Sequence, residues 1–491
     1  MNQDRLYQLS LTHFSIPVFG WFRKHSFRER FILSKANFLF FQLNLILNFA
    51  LWYSLFRDFC TPFTKMEDTM KQLGLLPLDL LNPRVKYDLL FEHLPSISAK
   101  ENNRGRPPFS RDALLKALVY KALRRLKTLT DLAFELKNNP IISQAMGFNP
   151  YESPPSIERF SQFLRQTPHP LLQSVRTQLT QLLVDEQVVS GNHLVLDSCP
   201  ILAKVRENNL KTCSTQRFEK TKLPKGDPDA RLGVLVHFPK PSKKLARYFW
   251  GYRNHIVADA QEEIPLWEIT HPADVSEIPQ AIPLISKVKE RFSLSITTIS
   301  GDAVYDAENI LRFIIKDLKA QAIIPRNPRG EKSSSYSFKG NSVLCQADLP
   351  MHRRGKMTVK KVGITYLQYS CPIYYGKERQ RHLLCPVAHP KFTTQKGCNV
   401  LIRLTPSIRQ QMDYGSVAFK ELQKKRTSVE RIFSRLLSIA MQDLPVYGID
   451  AVGNYCTIAH IAVLLVALAA TRAGYKNKMR FVRSFVPNFL S

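Results

Sequence analysis

The order of apolar patterns predicts an α/β protein, a mixed sheet flanked by helices and preceded by a small all-α unit. Three observations carry this expectation. Short strand-like runs at 193–197, 247–260, 264–271, 295–300 and 320–324 are interleaved with helical stripes. Before residue 190 the apolar residues recur at helical spacing. Finally, the almost wholly apolar stretch at 455–470 is short for a bilayer and contains His460, which suits a core helix. With 491 residues, the chain has room for about three domains.

Composition narrows the partners. Apolar residues make up 44% of the chain, so wholesale disorder is excluded. Lys and Arg number 70 against 40 Asp and Glu, a net charge of +30 that points to nucleic acid or an anionic membrane surface. The eight cysteines are sparse for a disulfide scaffold and form no C-x-x-C, which favours a reducing, cytoplasmic setting. No Walker loop, G-x-G-x-x-G or H-E-x-x-H motif occurs, so the enzymes that depend on them are unsupported.

The elements follow in order. Basic residues from Arg23 to Lys35 precede an uncharged run at 36–56 that Asn37, Gln42, Asn44, Asn48 and Ser54 interrupt. Three readings stand for this 1–65 stretch: translated leader before a start at Met66 or Met70, a packed helix, or a membrane anchor. In the helical unit at 66–170, Leu114, Leu115, Leu118, Val119 and Ala122 share a stripe, with Ser110 as expected N-cap. A second helix fits 131–137 before Asn138-Asn139-Pro140, and a third carries Ile157, Phe160, Phe163 and Leu164 on one face. Such short helices either read DNA or only pack. Arg104-Gly105-Arg106-Pro107-Pro108 just before them is either a basic linker or a segment for a narrow minor groove, where Arg is attracted.

After the strand at 193–197 comes a basic stretch, 204–253, with a net charge of +9 from 13 basic and 4 acidic residues. Ile278, Ile282, Ile285, Val288 and Phe292 form a helical stripe; a second helix is expected from Asp306, its N-cap. The region 325–398 is polar and poorly periodic, with 14 basic and 3 acidic residues. Beyond it, Val429, Phe433, Leu436 and Ala440 share a helix face.

Three carboxylates stand out. Asp197 ends the first strand, Asp302 follows the fourth, and Glu430 lies on the helix after the basic region. If the first and fourth strands are parallel neighbours, the two Asp side chains meet at one edge and the helix can supply Glu430. Phosphodiester cleavage develops charge on attacking and leaving oxygens, which two Mg²⁺ ions about 3.5–4 Å apart stabilise together. Mg²⁺ takes hard oxygen ligands and keeps several waters, so two or three carboxylates suffice. Arg426 and Glu430 are i and i+4: either an exposed ion pair, or a metal ligand beside a guanidinium for phosphate. Spacing alone leans to the ion pair.

His193-Leu194-Val195-Leu196-Asp197-Ser198, Gly251-Tyr252-Arg253-Asn254-His255, Ser300-Gly301-Asp302-Ala303-Val304-Tyr305-Asp306 and Arg426-Thr427-Ser428-Val429-Glu430-Arg431 occur in that order. Together they resemble the DDE transposases of bacterial insertion sequences, in the group with an Arg-x-x-x-Glu signature. The block with Gly105-Arg106-Pro107-Pro108 and Ser156-Ile157-Glu158-Arg159-Phe160 is similar to that group's N-terminal domain. The resemblance runs from about residue 66 to 472. It implies a ribonuclease-H-like core at 190–325 and 401–475, split by a β-rich insertion at 326–400 and followed by a basic tail at 476–491. It implies Asp197, Asp302 and Glu430 as catalytic metal ligands for Mg²⁺, with Mn²⁺ as substitute. Double-stranded DNA is the implied partner, both element ends and target, engaged by a homodimer in the cytoplasm at the nucleoid. Arg104, Arg106, Arg253, Lys425, Arg426 and Arg431 are the expected DNA contacts. The group often has Tyr three residues before the signature Arg and Lys seven after the Glu; here these are Gln423 and Leu437. Two competing classes are a catalytically decayed DNA-binding relative and a membrane-anchored basic protein.

Secondary candidates have plainer readings. Asp259 is expected as a turn residue rather than a fourth metal-site acid, and His255 either contacts phosphate or packs. Cys345, Cys371, Cys385 and Cys398 sit at intervals of 25, 13 and 12 residues, which match no familiar zinc pattern, so no tightly bound zinc is expected.

Overall fold

The structure, a computed structural model, describes residues 83–97, 109–211, 217–240, 243–327, 336–340, 342–360, 363–375 and 384–490. The apolar run at 36–56, Arg104 and Arg106 lie outside the described residues. By its contacts the chain divides into Met1–Leu78 and Asp79–Ser491, and every element below belongs to the second unit.

Helices α1 (Pro83–Phe91), α2 (Arg111–Arg124), α3 (Leu129–Asn138), α4 (Pro140–Ala145), α5 (Ile157–Gln166) and α6 (His169–Asp185) precede the sheet. The expected stripe on α2 is real: Leu115, Leu118, Val119 and Ala122 are buried. Ser110 holds the N-cap position of α2 without a side-chain cap bond. Asp112 instead accepts from the Ile97 N–H at 2.7 Å and the Ser96 hydroxyl at 2.7 Å, tying the preceding chain to the helix. Thr128 starts α3 with a reciprocal box: its hydroxyl accepts from Asp131 N–H at 3.0 Å, and the Asp131 carboxylate accepts from Thr128 N–H at 2.8 Å. Asn139-Pro140 does end α3, but it also starts α4, because Asn139 caps the Ile142 N–H and Pro140 opens the helix. On α5, Phe160, Phe163 and Leu164 are buried while Ile157 stays exposed. The helix α6 is an additional element; Leu172, Val175, Leu179 and Leu183 bury its stripe.

The sheet contains β1 (His193–Leu202), β2 (Arg231–Lys240), β3 (Lys243–Asp259), β4 (Ile264–Pro272), β5 (Thr298–Ser300) and β6 (Gln321–Ile323). Its order is β2-β3-β1-β5-β6, with β4 also on β3. The β1–β3, β2–β3 and β3–β4 ladders are antiparallel, whereas β1–β5 and β5–β6 are parallel, so the sheet is mixed. Gly251 marks the point on β3 where the pairing passes from β2 to β1; a Cβ there would collide with the Ile201 carbonyl. Between β4 and β5, α7 (Ile278–Arg291) buries Leu284, Ile285 and Val288 and packs on β3 and β4. The helix after β5 is α8 (Glu308–Arg312), and Asp306 does not cap it, contrary to expectation. Asp306 is taken by longer-range partners: it accepts from Asn327 N–H at 2.9 Å and from Arg409 Nε at 2.7 Å.

The inserted region folds as two small sheets. One is the hairpin of β7 (Tyr336–Lys339) and β8 (Ser342–Cys345). The other has the order β11-β10-β9, from β9 (His352–Val359), β10 (Ile364–Ser370) and β11 (Asn399–Arg403). Arg403 ties it to helix α8 by donating from Nη2 to Glu308 Oε1 at 2.9 Å.

The chain returns through α9 (Val417–Lys424), α10 (Ser428–Leu436), a wide turn at Leu437–Met441, and α11 (Ile449–Arg472), ending with α12 (Phe485–Phe489). The apolar 24-residue helix α11 has a window of mean hydropathy 1.9, enough by length and composition to cross a membrane, yet that window is buried inside the fold against α6, β4, α5 and α2. Its polar groups show why protein, not lipid, surrounds it. Asn454 donates to the carbonyls of Leu164 at 2.9 Å and Thr167 at 2.8 Å, Thr457 donates to Glu268 at 2.7 Å, and His460 pairs with Asn254 at 3.0 Å.

Candidate active site

Strand register brings the first two acids together. Val195 on β1 pairs in parallel with Ser300 on β5, so Asp197 and Asp302 each stand two residues beyond a paired position at the same end of the sheet. A hydrogen bond of 2.6 Å between His193 and Ser300 ties these strands behind the acids. The Asp302 carboxylate accepts from Val304 N–H at 2.9 Å, which fixes it over the turn Ala303–Tyr305. Asp197 accepts from Ser198 N–H at 2.8 Å and keeps only 20% of its side chain exposed. Burial pushes the Asp197 carboxyl up to about 7; the Ser198 N–H opposes this, the charges of Asp302 and Glu277 add to it, and Arg426 offsets part of it.

Helix α10 supplies the third acid. Val429, Ile432, Phe433 and Leu436 are buried and the helix packs on β1, which leaves Glu430 on an exposed face. Glu430 and Asp197 line one open cleft of about 540 Å³, together with Ser198, Phe433 and Ser434. Arg426 joins the two acids: Nη2 donates to Glu430 Oε1 at 2.7 Å, and Nη1 is 3.7 Å from Asp197 Oδ2. The i,i+4 ion pair is therefore present, and its guanidinium also reaches the strand acid. Among the described residues no group of three or more His, Cys, Asp or Glu side chains is gathered closely enough to hold a metal ion. Asp197 and Asp302 are electrostatic neighbours, while Glu430 stands on the cleft wall in the hands of Arg426.

The basic candidates separate. Arg253 is under the site rather than at its mouth: only 14% exposed, it pairs with Glu277 and donates to Ser198 Oγ at 3.2 Å and the Val234 carbonyl at 3.1 Å. Arg431 is 55% exposed, paired with Glu263 at 2.7 Å and donating to Thr427 at 3.1 Å. Lys425 is exposed at the start of the Lys425–Thr427 turn, and its charge adds to burial in lowering His193 to about 4.

Glu277 is a site residue the sequence did not reveal. It accepts from Ser198 Oγ at 2.7 Å and from Arg253, directly behind Asp197. Its only local signal is its place before Pro279 at the start of α7. Asp259, by contrast, is fully buried and accepts from the N–H groups of Gly191, Gln261 and Glu262 at 2.7–2.9 Å, as a turn residue does. His255 is buried edge-on to His271 with ring centroids 5.5 Å apart; burial drives it down to about 3, so it packs as a neutral ring. In the insertion, the thiols of Cys345, Cys371 and Cys398 are close enough to interact, and burial, aided by the neighbouring thiols, pushes Cys398 up to about 12.

Residues 209–465 match the family described as Transposase DDE domain, a span that includes Asp302 and Glu430 and begins twelve residues after Asp197. Residues 76–166, the helical block, match Transposase domain (DUF772). No curated protein matches. Among solved structures, a piggyBac transposase synaptic complex with hairpin DNA is similar at 11% identity, with a TM-score of 0.32, over 82% of this chain and 80% of that one.

Proposed function

Because the chain belongs to the DDE transposase family, whose match spans more than half of it, we propose that it is a metal-dependent enzyme that binds the terminal inverted repeats of its element, cleaves at the ends and joins 3′-hydroxyls to target DNA. The observation that carries this reading is the pairing of Asp197 with Asp302 at the end of parallel β1 and β5, with Glu430 on the wall of the cleft beside them. The strand order β4-β3-β1-β5-β6, three antiparallel neighbours followed by two parallel ones, supports a ribonuclease-H-like core. Duplex DNA is the partner, held by a dimer on paired ends, and the protein acts at the nucleoid.

The donors suit Mg²⁺. They are carboxylate oxygens, hard ligands, and the raised Asp197 carboxyl is one whose charged form is short of a nearby cation. Asp197 and Asp302 would hold the ion, with Glu430 joining them. When bound, it would stabilise the charge that develops on the attacking and leaving oxygens. The chain's own residues do the rest. Val304 N–H and Ser198 N–H aim the two Asp carboxylates. The Arg253–Glu277–Ser198 set holds β1 beneath them. Arg426, Lys425 and Arg431 present positive charge along one helical segment for the DNA backbone, where guanidinium groups bind phosphate strongly.

The test is strand cleavage on a duplex carrying the element's own end, with binding followed in parallel. Asp197→Asn, Asp302→Asn and Glu430→Gln should each abolish cleavage while leaving binding equal or slightly tighter. Their losses should be non-additive, because residues that act as one unit fail together. Mn²⁺ should replace Mg²⁺, since both accept octahedral oxygen ligands. Persistent cleavage in Asp302→Asn would remove that residue from the site. A wild-type protein that binds the end but cleaves with neither metal would favour the decayed, DNA-binding reading.

A further inference from the structure

The cleft that holds Asp197 and Glu430 has one wall from the helical block. Arg125, the residue that ends α2, lines it. Three features of this arginine are unusual together. Its backbone is left-handed, with φ 56° and ψ 35°, a conformation that favours glycine or asparagine and that a long side chain rarely adopts. Its side chain bridges to the other part of the fold, since Nε donates to the Ser438 carbonyl at 2.7 Å in the wide turn directly after α10. Wide turns of this kind are frequent at functional sites. And the residue is exposed, with no carboxylate paired to it among the described residues.

The surroundings extend the feature. A second cleft of about 360 Å³ adjoins the first and shares Arg125, Leu437, Ser438 and Gln442 with it. Its walls carry Arg124 and Lys127 as well, against one acid, Asp443. A basic rim therefore leads from the acids to the end of α2, and Arg125 stands where the two clefts meet.

We propose that Arg125 is a phosphate-binding residue of the cleft: the helical block contributes it to grip the backbone of the DNA strand that enters beside Asp197 and Glu430. The ligand class is a phosphodiester. The Ser438 bond positions the guanidinium, and Arg suits the task because its fork binds phosphate oxygens in pairs. Glycine would suit the left-handed backbone at this position better, but it would remove the one basic side chain that lines both clefts. This inference rests on the transposase reading.

The experiment uses the full chain with Arg125→Gln, Arg125→Lys and Arg125→Gly, and a short duplex carrying the element end as probe. Thermal midpoint, dissociation constant across a salt series, and cleavage rate are measured for each. Removing one phosphate contact lowers the log–log salt slope by about 0.9, so the Gln and Gly variants should lose about one unit of slope and bind several-fold more weakly. The Lys variant should keep the slope. The Gly variant relieves the left-handed backbone, so it should melt at or near the wild-type midpoint and still lose the slope. Unchanged slope and affinity in Arg125→Gln, with wild type binding and cleaving normally, would overturn the assignment. Equal loss of thermal midpoint and binding in all three variants would overturn it too, since Arg125 would then be only a staple to Ser438. Failure of the wild type itself to bind the duplex would instead sink the transposase reading.

Discussion

Glu268 on β4 is a buried charge between the sheet and two helices, and replacing it gives a sharp test of how the helices are fastened to the sheet. Glu268 is 1% exposed, accepts from Asn254 Nδ2 at 2.8 Å, Thr457 Oγ1 at 2.7 Å and Gln173, and faces the fully buried Arg176 of α6. Burial alone would raise its carboxyl; His460, His169 and Arg176 together hold it below the usual carboxylate range. Arg176 in turn donates from Nε to Gln173 at 2.7 Å, reaches the Leu266 carbonyl and lies 4.5 Å from the Trp267 ring. Glu268→Gln keeps the shape but leaves Arg176 as a buried charge without its counter-ion, which costs about 3–5 kcal/mol. Adding Arg176→Met to Glu268→Gln removes the stranded charge and should recover most of that loss, and wild type, the two single variants and the double variant form a closed cycle. The non-additivity should then be on the order of 2 kcal/mol. Urea unfolding of the four proteins, followed by tryptophan fluorescence, reads this directly, since Trp267 sits on Arg176. A Glu268→Gln variant within about 1 kcal/mol of wild type would refute the coupling.

Two other outcomes are expected. Burial lowers His193, His255 and His460 to about 4, 3 and 4, so each is neutral in the fold. Because these values lie below the ordinary 6.5, the stability they contribute is present above pH 6.5 and is lost as pH falls toward 4; a urea midpoint that stays flat between pH 7 and 4.5 would contradict this. Gly251→Ala drives a methyl into the Ile201 carbonyl, and overpacking of this kind costs about 1–3 kcal/mol. The same change disturbs β1 near Asp197, so cleavage should fall more than the melting point suggests, and a variant with full activity would show that β1 relaxes around it.

Much of the fold is legible because it depends on local pattern. The stripe Ile278, Ile282, Ile285, Val288 lies on α7, and Val429, Phe433, Leu436 and Ala440 are all buried on one side of α10 and its turn. Strands β3 and β4 sit within a few residues of the expected runs, since β-branched and aromatic residues bounded by turns identify them. The misses have a common cause, which is competition from distant partners. Strand β2 lies in a stretch that reads as charge, and only its pairing with the first half of β3 makes it a strand. Asp306 has the residue type of a cap, but Arg409 and the Asn327 N–H, far along the chain, claim its oxygens. Arg253 looks like a phosphate ligand in a basic stretch; Glu277 takes its charge instead. Glu277 and Arg125 carry no motif, and their importance comes from where the register of β1 and the end of α2 place them.

The distribution of charge around the cleft decides which acids most need a cation. The chain carries a net +30, yet four carboxylates, Asp197, Asp302, Glu277 and Glu430, gather near one sheet end. Two of the four are answered locally: Glu277 by Arg253 on the underside and Glu430 by Arg426 on the helix. The remaining pair is not. Asp302 has no basic side chain paired to it among the described residues, and Asp197 has only Arg426 at 3.7 Å, so its carboxyl is pushed up to about 7 by burial and by its acidic neighbours. On the proposed function, Asp197 and Asp302 are the acids that would gain most from a divalent cation, which would offset the charge that the fold leaves without a close basic partner. The acids short of positive charge thus lie at the sheet end, while the guanidinium nearest Asp197, that of Arg426, lies in the turn that leads into α10 and is shared with Glu430.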